Sequence, residues 1–229
     1  MKAAIFDMDG TLIDSMYYWR TVAVEYLREH GHEPSKALCE ELYFTSVRST
    51  PPIMRRYYDI PDSDAELIAF FDRRMIEHYE RDVKLKPGAD RYIAKLRAQG
   101  VTCVLATASL RAQAWPLMER LGIADAFVSD GRQLLFCSDE MGMTKASDEY
   151  YPELCRRIGV APEDCVMYED ALYSIRTARR AGLHVWAIED ESARLNKAEI
   201  IASVERYFTS WEELLNNNGD NLQYVQRNV

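Results

Sequence analysis

Ala3-Ala4-Ile5-Phe6-Asp7-Met8-Asp9-Gly10-Thr11-Leu12-Ile13-Asp14-Ser15 begins with four apolar residues, then sets two acids one residue apart, then a glycine. A short apolar run closed by Gly10 reads as a buried parallel strand. Residues two apart on an extended chain face the same way, so Asp7 and Asp9 project together while Met8 points elsewhere. Asp and Gly are also turn formers, and a polar strand-to-loop turn accounts for Gly10 and Thr11. It does not account for two acids ending a buried strand. Like charges that close stay ionised only with a cation between them. A hard cation with carboxylate ligands meets that need, and Mg²⁺ is the usual one where the substrate carries phosphate.

The 229 residues suffice for one sizeable core and a smaller module. With 48% hydrophobic and 28% charged residues, the composition is that of an ordinary globular protein. A formal net charge of −9 argues against a nucleic-acid or anionic-membrane surface, and leaves room for one local positive cluster that takes an anionic substrate. No run approaches the ~18 apolar residues of a membrane span, and the first residues lack a signal-peptide apolar region. The expectation is a cytoplasmic protein, acting as a monomer. Cys39, Cys103, Cys137, Cys155 and Cys165 show neither zinc spacing nor a disulfide framework, and Cys103 and Cys165 read as small core residues. His30, His32, His78 and His184 form no metal pattern and read as surface or helix-end residues.

From Ser15 to Arg81 the pattern is helical. Met16, Trp19, Ala23, Tyr26 and Leu27 form one apolar stripe, ended by His30-Gly31. Ile68, Phe71, Met75 and Tyr79 form another, preceded by Ser63 with Glu66 three residues on. Shorter helical pieces lie between, broken by Pro34, Pro51-Pro52 and Pro61. After Pro87-Gly88, strand and helix alternate. Expected strands are Val101 to Ala106, Phe127-Val128, Leu134 to Cys137, Cys165 to Tyr168 and, last, Val185 to Ile188. Expected helices run through Ala89 to Leu96, Leu117 to Leu121 with Pro116 in the first turn, Tyr151 to Ile158, and Ala171 to Ala181. Asp130 to Gln133 is a turn without an assigned place. Trp211 to Leu215 closes the core, and a loose tail is expected from Asn216 onward. Alternating strands and helices imply an α/β, doubly wound, mostly parallel sheet, with an all-α insert. The division is 1–14 and 82–229 for the α/β domain and 15–81 for the helical insert. Ligands of such sheets bind beyond the carboxyl ends of the strands.

Three further groups stand at such ends. Thr107-Ala108-Ser109 offers a hydroxyl and freed N–H groups for phosphate oxygens, although Thr and Ser there also simply open a loop. Lys145 precedes the Tyr151 helix, where an exposed lysine is the commonest reading. Glu169-Asp170 ends the Cys165 strand, and Asp170 is also well placed as a helix N-cap.

Asp7-x-Asp9-Gly10-Thr11, Thr107, Lys145 and Glu169-Asp170 together resemble the four ordered signatures of the haloacid dehalogenase-like superfamily, most of whose members are phosphohydrolases. The match is to the beta-phosphoglucomutase/phosphatase-like members, which share the Rossmann-like sheet and a small helical cap. The resemblance implies that Asp7 is a nucleophile that becomes phosphorylated and Asp9 the general acid and base. It implies that Thr107 and Lys145 complete the catalytic set, with Gly10, Ala108, Thr107 and Lys145 around the phosphate. Asp7, Asp170, Glu169 and the backbone carbonyl of Asp9 would hold Mg²⁺, and the insert would close over the cleft. Two departures stand out. Relatives follow the Lys with Pro-x-Pro, where this chain has Ala146-Ser147-Asp148, and Ser174 stands where relatives have Gly. The implied function is a Mg²⁺-dependent phosphatase for a small phosphorylated metabolite. Alternatives are a phosphomutase, whose cap His is missing here with Trp19 in its place, and a non-catalytic binding protein, which typically loses one of the three Asp. Trp19 and Phe44-Thr45-Ser46-Val47-Arg48 are the candidates for substrate specificity. Trp19 equally fits its helix stripe, and Arg48 equally reads as a surface charge.

Overall fold

The computed structural model describes residues 1–43, 45 and 47–216, without the Tyr43 side chain. Phe44 and Ser46 of the candidate specificity segment, and the expected tail from Asn217 onward, lie outside the described residues. In chain order the strands and helices are β1 (Ala3–Phe6), α1 (Met16–Glu29), α2 (Lys36–Tyr43), α3 (Pro51–Tyr57), α4 (Asp64–Arg81), α5 (Ala89–Ala98), β2 (Thr102–Thr107), α6 (Arg111–Arg120), β3 (Val128–Ser129), β4 (Arg132–Gln133), β5 (Leu135–Cys137), α7 (Ser138–Met141), α8 (Tyr150–Ile158), β6 (Cys165–Glu169), α9 (Leu172–Arg180), β7 (His184–Ile188), α10 (Lys197–Ser203), β8 (Arg206–Phe208) and α11 (Trp211–Asn216). The chain divides into two units, 1–14 with 84–229, and 15–83. No helix among the described residues is long and apolar enough to cross a membrane.

The first unit is built on a six-stranded sheet in the order β5-β2-β1-β6-β7-β8, all pairs parallel. All four β1 residues are fully buried, as a central parallel strand requires. From β1 the chain builds outward to β2 and β5, then returns to add β6, β7 and β8 on the other side. The order therefore switches between β1 and β6, the place beyond whose strand ends sheets of this kind open a crevice. Alternate β1 residues serve two layers. Ala3 and Ile5 join Val104, Met167 and Val185 against Tyr151 and Leu154 of α8 and Ile175 of α9. Phe6 faces the other way, stacked on Tyr168 with ring centroids 4.8 Å apart and beside Trp211 at 5.9 Å. Tyr92 of α5 completes that layer, its hydroxyl 2.6 Å from that of Tyr168.

The second unit packs α1–α4 around Tyr26, Leu27, Leu38, Met54, Leu67 and Phe71. Ser63 and Glu66 form the expected reciprocal cap of α4. Leu67, rather than Ile68, heads the buried stripe of that helix. His78, in its last turn, places one ring nitrogen on Glu25 and the other on Asp82.

Several expectations change. Val185 to Ile188 is not the last strand, because Arg206–Phe208 adds β8 at the sheet's edge. Phe127 belongs to a short 3₁₀ turn, and Val128–Ser129 pairs with Arg132–Gln133 in a separate antiparallel hairpin. Its turn, Asp130-Gly131, has φ of +50° and +72°. Left-handed geometry at both positions is what Asp-Gly favours between two strands. Pro116 lies inside α6 rather than in its first turn. The start is fixed upstream, where the Leu110 N–H donates to Gln113 Oε1 at 3.2 Å and the Arg111 guanidinium binds Glu140, Gln133 and the Leu135 carbonyl.

Trp211 is the anchor of the aromatic layer: 1% exposed, it donates from its indole N–H to the Thr11 carbonyl at 2.9 Å. Trp211→Ala should cost about 3–5 kcal/mol of unfolding free energy in urea, the usual loss for a buried aromatic. A loss below about 1 kcal/mol would show that the layer closes without it.

Candidate active site

Backbone pairing places the acids. The Asp7 N–H donates to the Tyr168 carbonyl at 3.0 Å, extending the β1–β6 register by one residue. Asp7 therefore leaves the sheet beside Glu169 and Asp170, and one carboxylate oxygen of each lies within 4.8 Å of the others. All three side chains are buried, Glu169 completely. Lys145, 3% exposed, enters the cluster and donates to Asp7 Oδ1 and, at 2.7 Å, to Glu169 Oε1. The other Glu169 oxygen accepts the N–H groups of Asp170 and Ala171 at 2.7 and 3.0 Å. Asp170 is thus not the N-cap of α9, a position taken by Ala171. Its Oδ1 instead accepts the Thr11 hydroxyl at 2.9 Å.

Three carboxylates share one ammonium, and the charge is unevenly resolved. Burial raises the Asp7 carboxyl to about 7, with the Glu169 charge adding to it and Lys145 opposing. Burial, then Glu169 and Asp7, push Asp170 well above the usual carboxylate range. Burial would raise Glu169 too, but the charge and hydrogen bond of Lys145 prevail and hold it low. Burial would lower the Lys145 ammonium, yet Asp7 and Glu169 keep it well above its ordinary value. The donors are all oxygen, the set that suits a hard divalent cation.

Gly10 makes the crevice possible. Its φ is +85°, and a Cβ there would stand 2.5 Å from Asp170 Oδ2. Its N–H is spent on the Ile13 carbonyl at 3.1 Å. At the end of β2, Thr107 is fully buried and its Oγ1 accepts the Ser109 N–H at 3.0 Å, while Ala108 is exposed. The Ser109 hydroxyl donates to Asp9 Oδ2 at 2.8 Å. Ser109 and Thr11 stand in the motifs quoted above, but the sequence reading gave neither of them these partners. The Lys145 loop lacks prolines, but the Ser147 N–H bonds the Thr144 carbonyl at 2.9 Å and Asp148 pairs with Arg180 at 2.6 Å. Ser174, in the place of a glycine, shares a 2.5 Å hydrogen bond with the Tyr151 hydroxyl. Trp19 and Arg48 belong to the other unit. There Trp19 Nε1 donates to the Tyr79 hydroxyl at 3.1 Å, and exposed Arg48 pairs with Asp72 at 2.9 Å.

The family model of the haloacid dehalogenase-like hydrolases matches residues 1–182, which hold every acid of the cluster. The chain belongs to this family. As a haloacid dehalogenase-like protein it is 26% identical, over 208 residues, to hexitol phosphatase A of Escherichia coli, covering 87% of this chain and 89% of that one. It is 27% identical, over 229 residues, to a phosphorylated carbohydrates phosphatase of Thermotoga maritima, with 94% and 97% covered. Its fold matches the crystal structure of CbbY from Rhodobacter sphaeroides in complex with phosphate, at a TM-score of 0.74 and 23% identity over 93% and 96% of the two chains. This haloacid dehalogenase-like chain is an enzyme, a phosphohydrolase, and the non-catalytic reading falls away.

Gly10→Ala tests the crevice directly. Left-handed backbone with a Cβ costs roughly 1–2 kcal/mol, and displacing Asp170 adds to it. The variant should lose about 2 kcal/mol or more in chemical unfolding; a wild-type midpoint would mean that the turn relaxes freely.

Proposed function

We propose that this enzyme is a Mg²⁺-dependent phosphatase that hydrolyses a small phosphorylated metabolite, of the sugar-phosphate kind, through an aspartyl-phosphate on Asp7. The observation that carries the reading is the buried set of Asp7, Glu169 and Asp170 around Lys145. The names of the hexitol and carbohydrate phosphatases support the substrate class.

Asp7 attacks phosphorus, forming a bond from its carboxylate oxygen as the bond to the ester oxygen breaks. Asp9, held by Ser109, gives its proton to the departing alkoxide. Asp9 then takes a proton from water, whose oxygen attacks phosphorus and releases Asp7 and inorganic phosphate. Lys145 offsets charge on Asp7 and on the transferring group. Thr107, whose hydroxyl can donate as well as accept, lines the phosphate side with Ala108 and Gly10. Asp7, Asp170 and the Asp9 carbonyl would hold Mg²⁺. Glu169, with both oxygens engaged, anchors Lys145 within the same cluster. Bound there, the ion would supply Lewis-acid charge to phosphate oxygens.

Asp7→Asn should abolish hydrolysis of an aryl phosphate, since an amide is neither nucleophile nor anionic ligand. Borohydride trapping of the quenched wild type followed by peptide mass spectrometry should find the modification on Asp7, and finding it on another residue overturns the assignment.

The acids also predict a pH dependence. A carboxyl raised in the folded state stabilises below its unfolded value and loses that contribution as pH rises through its folded value. For Asp7 the window runs from its ordinary 3.8 to about 7. Above it the metal-free fold carries repelling charge that Mg²⁺ relieves. The melting temperature should therefore rise more on adding Mg²⁺ at pH 8 than at pH 5. An equal rise at both would remove the acids as its cause.

A further inference from the structure

A second ion pair borders the cluster. Lys86 and Asp190 pair at 2.8 Å with side chains only 15% and 7% exposed. Lys86 Nζ also donates to the Glu189 carbonyl at 2.9 Å, and its backbone N–H to the Leu12 carbonyl at 2.8 Å. Lys86 thus ties the segment leading into α5 to the turn after β1 through its backbone and to the loop after β7 through its ammonium. Asp190 Oδ1 accepts the Ser192 N–H at 2.8 Å, and the Ser192 hydroxyl reaches Asp170 Oδ2 at 3.5 Å. Asp170 and Asp190 line one small cavity. The two cations lining it are paired with acids, Lys197 with Glu189 and Arg194 with Glu191. A buried pair of this kind is weak evidence for stability, because apolar residues of the same shape serve as well. Its position next to Asp170 is what calls for an account.

We propose that Lys86 and Asp190 are positioning residues that tune how tightly the Asp7–Asp170 cluster holds a divalent cation, Asp190 strengthening the hold and Lys86 limiting it. The proposal rests on the metal-dependent reading above. Its basis is charge and place. Asp7, Glu169, Asp170 and Asp190 carry four carboxylates against the ammonium groups of Lys145 and Lys86. With all four ionised the excess is two negative charges, which one divalent ion balances. With Ser192 hydrogen-bonded to both Asp190 and Asp170 in a partly buried setting, each added or removed charge changes that balance by a measurable amount.

The test is calorimetric titration of MgCl₂ into metal-stripped full-length protein at pH 8. Asp190→Asn and Lys86→Gln each remove one charge and keep a hydrogen-bonding group. Asp190→Asn should weaken Mg²⁺ binding by about three- to tenfold and Lys86→Gln should tighten it by about as much. The double variant should return to within about twofold of wild type. Should Lys86→Gln lack a cooperative melt, Asp190→Asn carries the test together with Lys86→Arg, which keeps the charge and should keep wild-type affinity. Weakening in both single variants, or no change in either, overturns the proposal, since a purely structural loop contact would move both the same way. If the wild-type protein itself takes up no Mg²⁺, the metal-dependent reading fails, and this one with it.

Discussion

The Lys145 ammonium between Asp7 and Glu169 is the interaction on which the α/β unit turns. An unpaired carboxylate in such a place costs several kcal/mol, and here three are gathered at the ends of two adjacent strands. Glu169 is the best satisfied, with a cation and two backbone N–H groups. Asp170 has a hydroxyl from Thr11, whose carbonyl in turn holds Trp211. The aromatic layer on one face of the sheet and the acids at its strand ends therefore meet in one residue. Asp7 and Asp170 are left with carboxyls raised by burial and by their acidic neighbours.

Much of this was legible in the residues themselves. Ala3 to Phe6 is apolar throughout because packed layers cover both its faces, α8 and α9 on one side and the aromatic layer of Tyr92 and Trp211 on the other, so the strand and the acids that end it declare themselves locally. Ser63 with Glu66 is equally local, a side chain and a backbone three residues apart. Ser109 and Thr11 lie in recognised motifs, but their partners were hidden for the opposite reason: Asp9 and Asp170 lie 100 and 159 positions away, and no local pattern marks the pairing. Lys145 stood out only through the family resemblance, since nothing near it in sequence distinguishes it from a solvated lysine. Arg206–Phe208 escaped notice as a strand because three residues at a sheet's edge carry too little periodicity to read. The hairpin was different. Asp130-Gly131 carried the turn signal plainly, and only its short flanking strands hid it.

The departures from the family pattern have physical substitutes. Where prolines would restrict the Lys145 loop, the Thr144–Ser147 hydrogen bond and the Asp148–Arg180 pair do so by enthalpy instead of by limiting the unfolded chain. Where a glycine would leave room near the start of α9, Ser174 fills it and satisfies the buried Tyr151 hydroxyl.

The placement of β1 has a further consequence, for how the molecule is made. The strand synthesised first lies at the centre of the sheet, between β2 from the middle of the chain and β6 from its last third. Its two flanking ladders close large loops, the slowest kind of contact to form. During synthesis Asp7 leaves the ribosome long before Lys145, Glu169 or Asp170 exist, and waits in water as an ordinary acid. The acids become a crowded group only when β6 docks, so a nascent or truncated chain carries Asp7 without the neighbours that set its charge.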